Sequence, residues 1–181
     1  MAIYETTATV IQDTAIHSNS ANSPDAQPET SFALGNDGVI KHRGLFSWLI
    51  PSKPFGADDI NRVTLVLAFR SRFAPGPSAQ RSQTAYKITR PWPEASASYN
   101  YFDGVGNAWT PAGGDKDELV SSTKIAGSPT YGATFAWDVT SLSGDWGKRG
   151  NVIIQDSAES GSAATSTIEY FGESVGTVAW K

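Results

Sequence analysis

The sequence predicts an all-β chain, a two-sheet β-sandwich of jelly-roll type, folded as a single domain over residues 1–181. Three observations carry this expectation. Apolar residues recur with period two in many short runs. Glycines and prolines, 17 and 10 of them, punctuate those runs with turns. No segment of helical length places apolar residues at i, i+3 and i+4. With 39% apolar and 18% charged residues, the chain is apolar enough to bury one substantial core and is unlike a disordered segment.

Taken in order, residues 1–6 form a short N-terminal arm, followed by a weakly alternating first strand through Ala8, Val10, Thr14 and Ile16. A brief apolar run at 32–34 leads to the turn Gly35-Asn36-Asp37-Gly38. The stretch Gly44-Leu45-Phe46-Ser47-Trp48-Leu49-Ile50 is apolar on both faces, the pattern of a central strand covered on both sides. Val63, Leu65, Leu67 and Phe69 alternate strictly, as a half-buried strand does. Tyr131, Ala133, Phe135, Trp137 and Val139 do the same against Gly132, Thr134, Ala136 and Asp138, which puts Phe135 and Trp137 in the core. A helical turn is expected at 140–142. Shorter strands fall at 86–88, 152–154, 168–171 and 178–180, giving roughly ten in all. Two polar stretches, 18–30 and 104–122, read as long loops.

Composition narrows the function classes. The net charge is −4, and no basic cluster exceeds the pair Lys148-Arg149, so the electrostatic footprint of a nucleic-acid binder is missing. There is no cysteine, hence neither disulfide nor thiolate ligand. No apolar run reaches membrane-spanning length. The opening residues lack the basic and apolar regions of a signal peptide, so synthesis in a host cytoplasm is expected.

Reactive chemistry finds little support. Gly172-Glu173-Ser174-Val175-Gly176 matches the G-x-S-x-G nucleophile elbow, but that elbow needs a following helix and later acid and histidine partners. A glycine-flanked turn explains it better, and no catalytic residue is assigned. His17 and His42 lack the spacing of a metal pair, nothing nearby completes a zinc set, and a surface or strand-edge role is expected. Asp58-Asp59 and Asp115, Asp117 and Glu118 are carboxylate clusters. The second offers hard oxygen ligands for Ca²⁺, but without the alternation and glycine of a calcium loop. No other cofactor is implied.

The aromatic residues are more informative. Trp92, Tyr99, Tyr101, Phe102 and Trp109 lie close together, interleaved with Pro91, Pro93, Asn100, Asp103 and Gly104. Exposed, such rings make stacking platforms for a glycan, with Trp92, Tyr99, Tyr101 and Trp109 as the contacts. Buried, they close one side of the sandwich, which is the commoner use of aromatic area.

The order His42-Arg43-Gly44-Leu45-Phe46-Ser47-Trp48, then residues 60–69, then Tyr86-Lys87-Ile88-Thr89-Arg90-Pro91-Trp92-Pro93-Glu94 resembles the DNRLRE-type domain. Further counterparts are Ser98-Tyr99-Asn100, Trp109 with Pro111 and Gly113-Gly114, Trp137-Asp138-Val139-Thr140, Trp146 and the closing 170–180 stretch. The resemblance runs from about residue 7 to residue 180. Each motif is weak alone, and their order makes them specific. Trp48 stands where that family usually has aspartate, and Tyr99 where it has tryptophan. The resemblance implies a β-sandwich of the kind found as carbohydrate-binding modules, on bacterial surface proteins and in phage structural proteins. It also implies that Arg43 and Glu94 are the polar residues buried in the framework, each needing a partner.

The functional expectation is therefore a non-catalytic structural protein of a virus (phage) particle, a capsid decoration or tail component. It would assemble on the virion surface as a repeated subunit, a cyclic homo-oligomer such as a trimer, beside other virion proteins. Ile3 and Tyr4 in the N-terminal arm are the expected assembly contacts. The alternative is a carbohydrate-binding module that recognises a polysaccharide or surface glycan.

Overall fold

In the computed structural model the described residues are 6–23, 31–49, 62–73, 80–104, 106–125, 129–142, 149–160, 166–171 and 177–180. The arm residues Ile3 and Tyr4, the Ser174 turn, Asp58-Asp59 and Trp146 lie outside them. Period-two alternation becomes ten antiparallel strands. They are β1 (Thr6–His17), β2 (Ser31–Asn36), β3 (Lys41–Leu49), β4 (Val63–Phe73), β5 (Arg81–Ile88), β6 (Lys116–Ile125), β7 (Thr134–Asp138), β8 (Arg149–Asp156), β9 (Ser166–Phe171) and β10 (Thr177–Trp180). Among the described residues the helical pieces are short 3-10 turns, at Thr140–Leu142 and Ser157–Ser160. The fold is all-β and sandwich-like.

The strands run in the order β1-β10-β4-β9-β2-β3-β8-β5-β6, with β7 added to β4 and β1 also paired to β3. Two long strands make the corners. β1 pairs β10 along its first half and β3 along its second, with a register shift between Val10 and Gln12. β4 pairs β10 and β7 first and β9 afterwards, with a shift between Phe69 and Ser71. Bulges bend a strand and sharpen its twist, so each strand passes from one sheet to the other. The wall nearly closes where β6 meets β7, and the Thr123 hydroxyl donates to the carbonyl of Ala136 there.

Between the sheets lies the main core, with Leu34, Phe46, Trp48, Leu65, Leu67, Trp137, Val152, Ile154 and Tyr170 among its residues. Trp48 and Gly150 are directly opposed across β3 and β8. A Cβ at position 150 would fall inside the Trp48 indole, so only glycine admits the ring. Trp48 is thus core packing in this chain.

A second core covers the outer face of the same sheet. Ile16, Leu45, Ile88 and Ile153 alternate with the inward Ala15, Phe46, Ala85 and Val152, and join Trp92, Ala97 and Trp109. The excursion between β5 and β6, residues 89–115, supplies the cover. That is why β3 is apolar on both faces: its six residues from Arg43 to Trp48 are all buried. Pro93 starts a turn whose carbonyl accepts the N–H groups of Ser96 and Ala97, and Tyr101 bridges Ala108.

Two expectations need correction. Residues 104–122 are not one loop, because β6 begins at Lys116. This strand borders the sheet and exposes half of its side chains, Leu119 included at 61%, so it carries no apolar alternation to read. The strand read from Tyr131 starts only at Thr134, since Tyr131 and Gly132 form a turn with Gly132 at φ 78° and Tyr131 is exposed. Trp137 is fully buried and Phe135 packs partly against the core.

Candidate functional site

The outer cover is tied down by a buried ion pair. Arg43, on the outward face of β3, donates from Nε to both oxygens of Glu159 at 3.1 and 2.8 Å, and from Nη2 to Oε2 at 2.7 Å. Its Nη1 donates to the carbonyl of Gly113 at 2.5 Å, and the guanidinium lies 5.4 Å from the centre of the Tyr99 ring. Gly113 has φ 86°, and a Cβ there would strike Arg43 and Tyr99. The arginine thus joins the sheet, the excursion and the 3-10 turn after β8. Gln155 donates to Glu159 at 3.0 Å and accepts from Lys116 Nζ at 2.6 Å. Burial pushes the Glu159 carboxyl up, against the pull of Arg43 and Gln155. Burial and the Arg43 charge hold the Lys116 ammonium low. The resemblance pointed to Arg43 as a buried charge, but nothing in the sequence links it to Glu159, 116 residues away. Glu94, the other expected buried charge, is half-buried.

The aromatic cluster divides in two. Trp109 is buried, donates its indole N–H to the carbonyl of Ser98 at 2.8 Å and meets Phe102 edge-on. Tyr99 and Tyr101 are partly buried, Tyr99 under Arg43. Trp109 and Tyr99 pack the cover. Trp92 is also buried, but it borders a cleft of about 320 Å³ lined by Gln12, Pro91, Trp92, Pro93, Phe102, Asp103, Arg149 and Asn151. Of the four rings expected to touch a glycan, it alone lines this cleft. Its Nε1–H is buried, and no acceptor among the described residues takes it. Around that aromatic floor stand an amide pair, a carboxylate and a guanidinium. Arg149 donates to Gln12 at 2.7 Å, and Asp103 accepts the backbone N–H of Asn107 at 3.0 Å. An apolar floor with a few fixed polar groups suits a small polar ligand with one apolar face. The sequence offered the aromatic half of this cleft. It gave no sign of Gln12, Arg149 and Asn151, which β1 and β8 bring to it.

Elsewhere several buried polar groups pair with one another. Between the sheets, Tyr170 donates to Gln83 at 2.7 Å, Gln83 donates to Asp156 at 2.9 Å, and Arg81 pairs with Asp156 at 3.1 Å. Burial and the Asp156 charge push the Tyr170 phenol up, so it stays a donor. Glu169 accepts from Arg70 at 3.1 Å and from the hydroxyls of Ser31 and Ser71. Asp115 pairs with Arg90 at 2.5 Å and accepts the N–H of Thr110. Asp117 and Glu118 are both exposed on β6, where its register with β5 shifts. Among the described residues no group of three or more His, Asp or Glu side chains is placed to hold a metal ion. His17 and His42, separated in sequence, do meet: they are cross-strand partners.

Compared with known proteins, the chain matches no family model, and no curated protein matches it. Among the described residues no helix is long and apolar enough to cross a membrane.

Proposed function

We propose that this chain is a non-catalytic structural subunit of a virus (phage) particle, a capsid decoration or tail component repeated on the virion surface. The observation that carries the reading is the two-sided burial of β3 and β8 beneath the 89–115 cover, locked by Arg43 and Glu159. A sandwich normally leaves the outer face of a sheet to water. Here that face is a second core, and the ionisable groups buried beneath it are committed to one another. Such an arrangement favours a rigid building block over a site that must bind, react and release. The order of the DNRLRE-type motifs, in a family that includes phage structural proteins, supports the same reading. The test is co-sedimentation of the purified chain with particles that lack it, comparing the full chain with one lacking residues 1–6. Full-length protein on the particle and truncated protein in solution is the expected result. Full-length protein left in the supernatant sinks the proposal.

A second reading, a carbohydrate-binding module, is favoured by the cleft at Trp92. A pyranose ring offers an apolar face to Phe102 and the prolines, and hydroxyls to Asp103 and Asn151. Retardation in gels containing neutral or acidic polysaccharides, abolished by Asp103→Ala or Asn151→Ala, is the expected behaviour of such a module. Equal mobility in every polysaccharide removes this reading.

A further inference from the structure

We propose that His17 and His42 form a transition-metal chelate of two imidazoles, for a divalent ion of the zinc, nickel or copper class, on the β1–β3 face. The two residues stand directly opposite each other in the β1–β3 register. Their Nδ1 atoms converge to 2.6 Å, with ring centroids 4.6 Å apart and planes at 88°. Two nitrogens that share a tetrahedral ion at about 2.0–2.1 Å sit about 3.3 Å apart. A small opening of the pair, with the shared proton displaced, therefore accommodates the ion between two ring nitrogens that already converge. Imidazole is the ligand type that suits these metals, and cross-strand geometry holds both rings without a long loop to order.

The surroundings orient one ring for this task. The β2–β3 turn fixes Asp37, whose Oδ1 accepts the N–H groups of Val39 at 3.0 Å and Ile40 at 2.8 Å. Its other oxygen, Oδ2, lies 3.6 Å from His42 Nε2. Held there, the carboxylate presents its charge to that nitrogen. That charge favours the proton of neutral His42 on Nε2 and leaves Nδ1 as a lone pair. A carboxylate behind the distal nitrogen is the usual support of a metal-bound histidine. Before binding, His17 supplies the Nδ1–H that His42 accepts. On binding, that proton moves to His17 Nε2, so two neutral rings take the ion with no net proton released. Water completes the coordination.

Because these are the only two histidines in the chain, the test needs no variant to begin with. In tag-free full-length protein, substoichiometric Cu²⁺ should broaden both imidazole ring signals together in the proton NMR spectrum. Titration calorimetry with Zn²⁺ or Ni²⁺ should give one saturable site per chain. His17→Asn and His42→Asn should each abolish that site, and Asp37→Asn should weaken it about 10–100-fold. No saturable binding by the unmutated chain, broadening of one ring alone, or binding that survives in both histidine variants would overturn the proposal.

Discussion

Arg43 and Glu159 should be worth more as a pair than either is alone. Their side chains are 7% and 2% exposed, so solvent screens the interaction weakly. Three N–H···O contacts of 3.1, 2.8 and 2.7 Å join them. Removing one partner strands the other charge in the second core, at a cost of about 3–5 kcal/mol. For a domain of this size that lowers Tm by roughly 6–20 °C. Arg43→Met should show this loss in urea unfolding at neutral pH, and Glu159→Gln, which removes a charge that burial disfavours, should cost less. The double variant should be more stable than the sum of the single losses predicts, with a coupling of about 1.5–3 kcal/mol. The pH dependence gives an independent sign. Burial raises the folded pKa of Glu159, so the folded state binds its proton more readily than the unfolded chain does. This carboxyl's contribution to stability is then greatest below its unfolded value and falls as pH rises through the folded one. The difference between wild type and Glu159→Gln should therefore slope downward with pH across that window. A loss under about 1 kcal/mol for Arg43→Met, or strictly additive effects, would show that the pair does not lock the cover.

Three further outcomes follow from the packing. Gly150→Ala places a methyl group inside the Trp48 indole and should cost about 1–3 kcal/mol by overpacking, read as a lower urea midpoint with an unchanged slope. Trp137→Ala removes a fully buried ring and its bond to the carbonyl of Gln83, and should cost about 3–5 kcal/mol by the same assay. Asp138 caps the turn after β7, accepting the Thr140 N–H at 3.0 Å and the Thr140 hydroxyl at 2.6 Å, so Asp138→Ala should cost about 1 kcal/mol at neutral pH. The Thr140 hydroxyl bond holds the Asp138 carboxyl low, so its contribution is present above the unfolded pKa and lost as pH falls through the folded one. The penalty of this substitution should accordingly fade in acid, and a penalty independent of pH would contradict the cap.

How much of the fold was legible depended on which face of a strand meets water. The alternation in β4 and β7 and the two-sided apolarity of β3 were readable because burial imposes them on residue type. β6 was not, because a bordering strand with an exposed Leu119 and charged neighbours satisfies its backbone against β5 without needing an apolar face. Tyr131 misled for the opposite reason: an exposed aromatic at the right parity extended a real pattern beyond the end of its strand.

The candidate sites were legible only in halves, and for one physical reason. Polar partners in a sheet are chosen by register, and register is a long-range property that local pattern does not contain. Arg43 was visible as a charge within an apolar strand, but its partner comes from a turn 116 residues later. Trp92 was visible as an aromatic between prolines, yet Gln12 and Arg149 reach the cleft from two other strands. His17 and His42 looked unrelated at 25 residues apart, and antiparallel pairing of β1 with β3 sets their rings against each other. The β1–β3 ladder that runs from Gln12 to His17 thus serves both places, with Gln12 near one end at the cleft and His17 at the other beside His42. A one-residue slip of that ladder would turn Ala15 out of the main core and Ile16 out of the second, so core packing on both faces of β1 is what fixes both constellations.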